Sequence, residues 1–371
     1  MKFTVRRQDL QQELGLILGV VEDKATIPIL SHLLIRADKN GLEMLATDLE
    51  IGMRSRCVAD VTEPGAAAVP AKKLHDIIRA LNCEVVSLSS DTSNWLRVEG
   101  GSYRGRVVGL PEADFPSQPD MPKDATALKV PIRLLQQMVA RTMFAVTTEN
   151  TRFSINGALL EIDTTGMTLV ATDGHRLAHV AWLSQLPGVK AKTSLLVPRK
   201  ALLELSRLRP ADENEEIELA NAGSHVFFRT PTKLIFCRTL EGTFPAYERV
   251  IPADNGISVR VDRRQFLDII TRVAVLTSDA TRMITLQVEG DKLTVSGVNP
   301  SMGEATDEMA VESSGGDVKI GLNHEYLQQF LAVVDTEKVE MRLKDSGTQA
   351  LLKPVGDGPA YQYVVMPMRL A

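Results

Sequence analysis

The sequence predicts an α+β protein that contains three copies of one unit, and three observations lead to this prediction. Stretches of alternating apolar and polar residues, joined by short Gly, Asn or Asp turns, are typical of antiparallel strands. Two amphipathic helical segments occur in each third of the chain. The order of strands, turns and helices is the same each time, which indicates a repeated supersecondary unit. Two helices on one side of antiparallel sheets make an α+β domain.

Length and composition agree with this class. A chain of 371 residues is too long for one ordinary core and predicts two or three domains. A hydrophobic content of 44% with 24% charged residues is typical of a soluble globular protein. No run approaches the roughly 18 apolar residues of a membrane span, and the first residues lack the apolar centre of a signal peptide. We therefore expect a cytoplasmic protein that does not bind a membrane.

Each copy begins with a short alternating stretch and a first helix. The three stretches are FTVRRQDLQQELGLILGVV, LKVPIRLLQQMVARTMFAV and VRVDRRQFLDIITRVAVLT, which start at Phe3, Leu128 and Val259. Leu10, Leu135 and Phe266 occupy the same place in them. This common apolar position predicts that each first helix packs on its sheet through the same face.

A strand pair follows the first helix in each copy. Its turn glycine recurs as Gly41, Gly166 and Gly290. The next segments read LEMLATD, MTLVATD and LTVSGVN, and they place Asp48, Asp173 and Asn299 in register. The nearly equal separations of these three residues are the clearest sign of the repeat.

A second helix and further strands complete each copy. The second helices are VPAKKLHDIIRAL from Val69, VPRKALLELSRL from Val197 and LNHEYLQQFLAVV from Leu322. Pro70 and Pro198 suit a first helical turn, and Asn323 suits an N-cap. The closing strands reach Pro116, Pro245 and Pro367. We predict domains at 1–120, 126–252 and 256–371, with linkers near 116–126 and 252–258.

The stretch ATDGHRL could form a catalytic dyad of Asp173 and His175, or only a turn. Its counterparts, ATDLEIGM and SGVNPSMG, share the Asp or Asn and lack the His. This favours a side chain that closes its own backbone turn. His175 and His179 have a spacing known from zinc-binding helices, but on a strand they would stand roughly 13 Å apart.

No other pattern in the sequence predicts an enzyme or a cofactor. There is no phosphate-binding loop, no dinucleotide fingerprint and no nucleophile elbow. Cys57, Cys83 and Cys237 are odd in number and widely spaced, which indicates three reduced thiols.

Basic residues concentrate in or beside five of the six helices, whereas acidic residues prevail elsewhere. The net charge of −5 argues against a protein that coats nucleic acid over its whole surface, but it allows one basic face. The pattern indicates either solvated helix faces or a shared surface that faces DNA. The residues are Arg6, Arg7, Lys72, Lys73, Arg79, Arg133, Arg141, Arg199, Lys200, Arg207, Arg209, Arg263, Arg264 and Arg272.

The last segment, AYQYVVMPMRLA, is unusually apolar for a chain end. It is either the last strand or a strand that leads into an apolar groove. Methionines suit adaptable recognition of partner peptides, which favours the groove.

The repeat, together with ATDGHRLA, TFPAYERVIP, YVVMPMRL and the opening MKFTV, resembles the beta subunits of bacterial DNA polymerase III, the sliding clamps. The likeness covers the whole chain in order. It implies three DNA-clamp domains per chain and a head-to-tail homodimer that closes a ring, with helices around the hole and sheets outside. A clamp of this kind is not an enzyme and needs no cofactor.

The same resemblance implies partners and contact residues. The ring would encircle duplex DNA, slide on it and tether the polymerase III alpha subunit, the clamp loader delta subunit, other polymerases and repair proteins. These would bind through peptides that carry Gln and apolar anchors. The implied peptide pocket comprises Ile155, Thr172, Gly174, His175, Arg176, Leu177, Pro245, Tyr247, Arg249, Val250, Met366, Pro367, Met368, Arg369 and Leu370.

Two smaller sets follow from the resemblance as well. The implied DNA contacts are Lys24, Lys72, Glu149, Phe153 and Ser154, of which the two lysines fit best. The implied dimer joint sets Ile78 and Val107 against Val275 and Leu276. Two other hypotheses remain open at this point: a metal-dependent hydrolase at Asp173 and His175, and a peptide-binding scaffold without DNA.

Overall fold

A computed structural model describes residues 1–22, 26–123, 127–149, 153–186, 189, 191–356, 358 and 360–370. In this part of the chain there are six α-helices and 26 β-strands, distributed so that each copy has two helices among eight or nine strands. The α+β class and the repeated pattern of elements are therefore confirmed.

The elements of the first copy are β1 (Lys2–Arg6), α1 (Arg7–Ile17), β2 (His32–Asp38), β3 (Gly41–Thr47), β4 (Ile51–Cys57), β5 (Asp60–Glu63), β6 (Gly65–Pro70), α2 (Ala71–Ala80), β7 (Val85–Ser90), β8 (Trp95–Gly100) and β9 (Tyr103–Val108). Those of the second are β10 (Leu128–Pro131), α3 (Ile132–Thr142), β11 (Gly157–Asp163), β12 (Gly166–Thr172), β13 (Arg176–Leu183), β14 (Thr193–Pro198), α4 (Arg199–Arg207), β15 (Glu216–Ala222), β16 (His225–Arg229) and β17 (Lys233–Arg238). Those of the third are β18 (Ile257–Asp262), α5 (Arg263–Ala274), β19 (Met283–Glu289), β20 (Lys292–Asn299), β21 (Gly303–Ala310), β22 (Glu312–Ser314), β23 (Val318–Asn323), α6 (His324–Val333), β24 (Lys338–Leu343), β25 (Ala350–Val355) and β26 (Ala360–Val365).

The chain forms two compact units, one of residues 1–136 with 200–239 and one of residues 137–199 with 240–371. The first unit contains the sheets β5-β1-β7-β8-β9 and β10-β15-β16-β17-β4-β3-β2-β6. The second contains β14-β11-β12-β13-β26-β25-β24-β18-β22 and β21-β20-β19-β23. Neighbouring copies thus share a sheet inside each unit.

Local sequence explains where the helices begin and which face they bury. Asn323 caps α6 by accepting a hydrogen bond from the backbone N–H of Glu325 (2.9 Å), as the sequence predicts. Pro70 and Pro198 end β6 and β14, so each stands immediately before a helix instead of inside its first turn. In α2, Leu74 and Ile78 are fully buried at helical spacing.

The turn glycines are only partly equivalent. Gly41 and Gly166 begin β3 and β12 with positive φ angles of 111° and 150°. Gly290 lies within the two-residue loop between β19 and β20, where its φ is 55°. In the third copy the glycine therefore lies in the loop before the strand and not at the first position of the strand. The reason is that this loop itself contains a left-handed residue.

The three cysteines are free thiols. Burial raises the pKa of Cys57 to about 11 and that of Cys237 to about 12. Within the described ranges no helix has the length and apolar character needed to cross a membrane.

Candidate functional site

The turn before β13 has the local structure that the repeat predicts. Asp173 Oδ1 accepts hydrogen bonds from the backbone N–H groups of His175 (2.9 Å) and Arg176 (3.0 Å). Asp48 binds the N–H groups two and three residues onward in the same way, at 2.9 and 2.8 Å. Asn299 accepts from the N–H two residues onward, at 3.1 Å. These side chains close their own turns, so the turn interpretation of Asp173 is confirmed.

The residue after the turn aspartate has a left-handed backbone in the first two copies. The φ angle is 89° at Gly174 and 79° at Leu49. A side chain is strained in this region, and glycine is not. Gly174 therefore forms the turn without strain, and its backbone is exposed to solvent.

The side chain of Arg176 is buried and holds this turn against neighbouring residues through hydrogen bonds. It is only 9% exposed, and its Nε donates to Asp173 Oδ2 at 3.0 Å. Its other nitrogens donate to the carbonyl of Phe144 (2.6 Å) and to Gln329 Oε1. The guanidinium also lies 4.2 Å from the centre of the Tyr326 ring. A buried charge with this many hydrogen-bond partners fixes the local structure, so Arg176 holds the turn in position.

An apolar cluster lies against β13, and we call it the pocket cluster. Its buried members are Ile155, Leu159, Val170, Leu177, Leu196, Phe244, Tyr247, Leu351 and Val364, with Leu240, Val250 and Ile251 packed against them. The structure thus brings together Ile155, Leu177, Tyr247 and Val250, which the resemblance had placed in one pocket. Leu177 is only 2% exposed and Tyr247 only 7%, so they form its floor and not its rim.

The C-terminal segment runs beside this cluster. β26 pairs with β13, and beyond it Met366 N donates to the carbonyl of His175 at 2.9 Å. Met368 N donates to the carbonyl of Gly321 at 2.8 Å, where a Cβ on this glycine would stand 2.9 Å from Met368 O. Met366 is 39% exposed. The segment is therefore the last strand, and its exposed Met366 follows Val364 of the cluster by two residues.

A hydrogen-bonded pair holds the segment after β17 against the sheet. The Tyr247 hydroxyl donates to Glu161 Oε2 at 2.8 Å, and Lys192 Nζ lies 2.6 Å from Glu161 Oε1. The imidazole of His179 is centred 5.7 Å from the Tyr247 ring. Burial lowers the pKa of His179, which favours a neutral imidazole near pH 7. Composition and spacing gave no signal for the bond between Tyr247 and Glu161.

Several residues of the implied pocket are exposed around this floor. They are Gly174, His175, Pro245, Arg249, Met366 and Arg369, while Val250, Pro367, Met368 and Leu370 are half-buried and Thr172 is buried. Sequence reasoning missed Phe244, Leu351 and Val364. The short apolar runs in β25 and β26 are typical of buried strands and could have pointed to the last two.

The implied DNA contacts are only partly described. Lys24 and the side chain of Phe153 lie outside the described residues. Lys72 is exposed on α2, Glu149 is exposed after α3, and Ser154 is half-buried.

Some of the basic helix residues have internal partners. Arg141 is 5% exposed, pairs with Asp335 at 3.0 Å and lies 5.6 Å from the centre of the Tyr361 ring. Lys200 donates to a carboxylate oxygen of Asp48, the turn residue of the first copy. Including Arg141 in a surface that faces DNA was therefore wrong, because its charge is used inside the fold.

The implied dimer residues differ in exposure. Ile78 is fully buried, whereas Val275 is 76% exposed. Val107 and Leu276 are half-buried. Val107 belongs to β9, and β9 is the edge strand of its sheet in the described part of the chain.

Three family models match the chain in succession. The N-terminal domain of the DNA polymerase III beta subunit matches residues 1–119, the central domain residues 129–246 and the C-terminal domain residues 248–369. The beta sliding clamp of Pseudomonas aeruginosa is 36% identical over the full length of both chains, and that of Vibrio cholerae is 31% identical over the same extent.

Solved structures agree with the sequence comparisons. The crystal structure of the DNA polymerase III subunit beta from Pseudomonas aeruginosa has a TM-score of 0.92 and 35% identity, with full coverage of both chains. The sliding clamp from Bartonella birtlesii bound to griselimycin has a TM-score of 0.93 and 30% identity, again with full coverage of both.

Proposed function

The chain belongs to the DNA polymerase III beta subunit family and is a sliding clamp, a non-catalytic processivity factor of DNA replication, and from this premise we propose how its residues serve DNA, a second subunit and partner proteins. The hydrolase hypothesis at Asp173 and His175 is therefore wrong, and Asp173 is occupied by its own turn. We place the three clamp domains at 1–120, 126–252 and 256–371 and the site of action in the cytoplasm.

Enclosure of DNA explains why a protein with a net charge of −5 can act on a polyanion. A closed ring needs no tight binding, because the duplex cannot leave without an opening of the ring. Cations around the hole attract phosphates without reading bases, so the ring can slide. The exposure of Lys72 on α2 supports its role as one of these cations.

The internal repeat supports a head-to-tail dimer. In the first unit β4, which follows the repeated turn, pairs with β17, the last strand of the next copy. In the second unit β13 pairs with β26 in the same way. The strand after the third turn is β21, the last strand of the first copy is β9, and both are edge strands in the described residues. We infer that β9 of one protomer pairs with β21 of its partner.

The repeat also predicts the register of this joint. The backbone hydrogen bonds that follow β9 correspond to those that follow β17. When the two strands are aligned by these bonds, Val107 takes the position that Cys237 has in β17. Ile51 accepts a hydrogen bond from the backbone N–H of its turn residue Asp48, and Gly303 lies opposite the turn residue Asn299 in the third copy. Ile51 in β4 pairs with Cys237. Gly303 should therefore pair with Val107 of the partner subunit.

Exposed apolar side chains near both edges support this joint. Val108 beside the first edge is 54% exposed, and Val298, Met302 and Val275 near the second are 56%, 74% and 76% exposed. Apolar groups of this size on a monomer surface are typical of an interface.

The pocket cluster is the observation that carries peptide tethering. Its apolar floor, with Met366 at the edge, suits the anchors of short peptides from the polymerase III alpha subunit, the clamp loader delta subunit, other polymerases and repair proteins. Clamps from Pseudomonas aeruginosa and Bartonella birtlesii have been solved bound to griselimycin, which makes this compound a suitable probe.

The first unit shows why only one such pocket is expected per chain. Gly52 and Leu177 stand at the same place, four positions after the aspartate of their turns. A Cβ at Gly52 would overlap the ring of Phe236, which also packs with Met121. In the first unit the chain fills this place with its own phenylalanine, whereas in the second unit Leu177 packs with the smaller Val364 in the pocket cluster.

Loading on DNA tests the function directly. After loading onto a nicked circle, the clamp should stay bound and should leave when the circle is linearised. Equal retention on both forms would refute enclosure. Deletion of residues 366–371 should abolish binding of griselimycin and of a Gln-containing peptide while the dimer persists; unchanged affinity would refute the pocket.

A further inference from the structure

A second depression continues from the pocket cluster on the same side of the sheet. It is an open cavity of about 380 Å³ in the second unit, between the segment 248–255 and strands β24, β25 and β26. Ile251 and Leu351 line it and also belong to the pocket cluster or pack against it. A peptide that covers the cluster can therefore reach this cavity without leaving the apolar surface.

The strand register gives the distance between the two sites. Leu177 lies opposite Val364, Val364 opposite Leu351, and Leu351 opposite Arg342. Residues directly opposite each other in antiparallel strands point to the same face, so these four form one row. Three strand spacings make roughly 14 Å, which an extended peptide crosses in about four residues.

The far end of this row is cationic. Arg342 and Lys353 line the cavity, and Glu248 is the one carboxylate among its described lining residues. The Nε of Arg342 lies 3.4 Å from Glu340 Oε2, and the arginine side chain is 47% exposed. A partly exposed pair of this kind is weak and leaves nitrogens of the guanidinium available to a ligand.

Asn255 makes the cavity a preformed site. Its side chain donates to the carbonyls of Arg342 (2.9 Å) and Gln349 (2.8 Å), which fixes the backbone that presents the cation. The residue is 9% exposed, and its Oδ1 accepts no hydrogen bond from the described residues.

We propose that this cavity is an accessory subsite for an acidic residue of a clamp-binding peptide, about four residues from the anchor that covers Leu177. Arg342 and Lys353 bind the carboxylate, and Asn255 fixes the backbone that presents Arg342. The subsite rests on the proposed peptide pocket, and it gives peptides with an acidic tail a longer residence on the clamp.

Fluorescence anisotropy with labelled peptides tests the subsite. The core peptide carries one glutamine and leucine and phenylalanine anchors. Four longer peptides add two aspartates or two asparagines, through a three-residue spacer, at one end or the other. The protein is the full-length dimer, either unaltered or as Arg342→Gln, Lys353→Gln, the double variant or Lys344→Gln. Lys344 is a matched control, because it pairs with Asp254 at 3.3 Å and is not among the residues that line the cavity.

At one end, the aspartate tail should bind about three- to tenfold more tightly than the asparagine tail, and added salt should reduce this gain. The double variant should lose the gain, Lys344→Gln should keep it, and the core peptide should bind all variants equally. Equal affinity of both tails at both ends, or a gain that survives the double variant, would overturn the subsite alone. Failure of the core peptide to bind the unaltered clamp would overturn the pocket and the subsite together.

Discussion

Tyr247→Phe removes one hydroxyl from the pocket cluster and leaves the aromatic ring in place. The ring is 7% exposed, and the lost hydrogen bond joins the hydroxyl to Glu161 Oε2 at 2.8 Å. A hydrogen bond to a charged group contributes about 1.5–3 kcal/mol. We expect the free energy of unfolding of the second unit to fall by that amount, and peptide affinity to fall because the segment after β17 is held less firmly.

Tryptophan fluorescence can report on this unit alone. The chain has two tryptophans, Trp95 in β8 and Trp182 in β13. In a Trp95→Phe background, urea unfolding followed through Trp182 reports on the second unit. Lys344→Gln is the control, because the Lys344 side chain is 50% exposed in the second unit and a surface change of this kind is within about 0.5 kcal/mol. Equal midpoints and slopes for Tyr247→Phe and its parent would refute the reasoning.

The pH dependence of the same bond has a definite sign. Burial acts to raise the pKa of Glu161, but hydrogen bonds from Lys192 and Tyr247 and the charge of Lys192 outweigh it and lower the pKa below 4.5. A lowered folded pKa means that the stabilisation is present above the unfolded value and is lost as pH falls through the folded one. The difference between Tyr247→Phe and its parent should therefore be full at pH 7 and shrink in acid below pH 4.5. A difference that grows in acid would contradict this assignment.

Three further predictions concern the dimer, DNA and the cysteines. Met302→Asp places a charge beside Gly303, the residue expected opposite Val107 of the partner subunit, so native mass spectrometry at micromolar concentration should show single chains, whereas Glu312→Asp on β22 should leave the dimer intact. Lys72→Glu should weaken the affinity of the clamp for a short linear duplex, measured by fluorescence anisotropy, and reduce the salt dependence by about one phosphate contact, whereas Lys39→Glu in the exposed turn before β3 should change this affinity less. Cys57 and Cys237 should react slowly with a thiol reagent at pH 8 until the protein unfolds, because burial raises their pKa to about 11 and about 12; fast labelling of either in the native state would contradict their burial.

The candidate site shows which features can be predicted from sequence. The turn at Asp173 was predictable because its hydrogen bonds reach only two and three residues along the chain. The bond between Tyr247 and Glu161 was not, since it joins residues from different strands and segments that only folding brings together. The resemblance placed Ile155, Leu177 and Val250 in one pocket, but it did not distinguish the floor from the rim.

The exposure of basic residues on the helices is another property that the sequence alone does not predict. The sequence shows that Arg141 and Lys72 both belong to basic helices, and periodicity treats them alike. In the structure Arg141 is 5% exposed beside Asp335, whereas Lys72 is exposed. Which cations can face DNA depends on what packs against each helix, and this depends on residues distant in the chain.

The sequence by itself determined the class, the repeat and the order of elements, because strand alternation, helix periodicity and turn chemistry are local properties of the chain. Only the tertiary structure decided that Phe236 fills the place over Gly52 while Leu177 packs with Val364 in the pocket cluster. Both places follow the same local turn. The difference comes from the strand that pairs beside each of them, and that pairing is a long-range contact that no local pattern specifies.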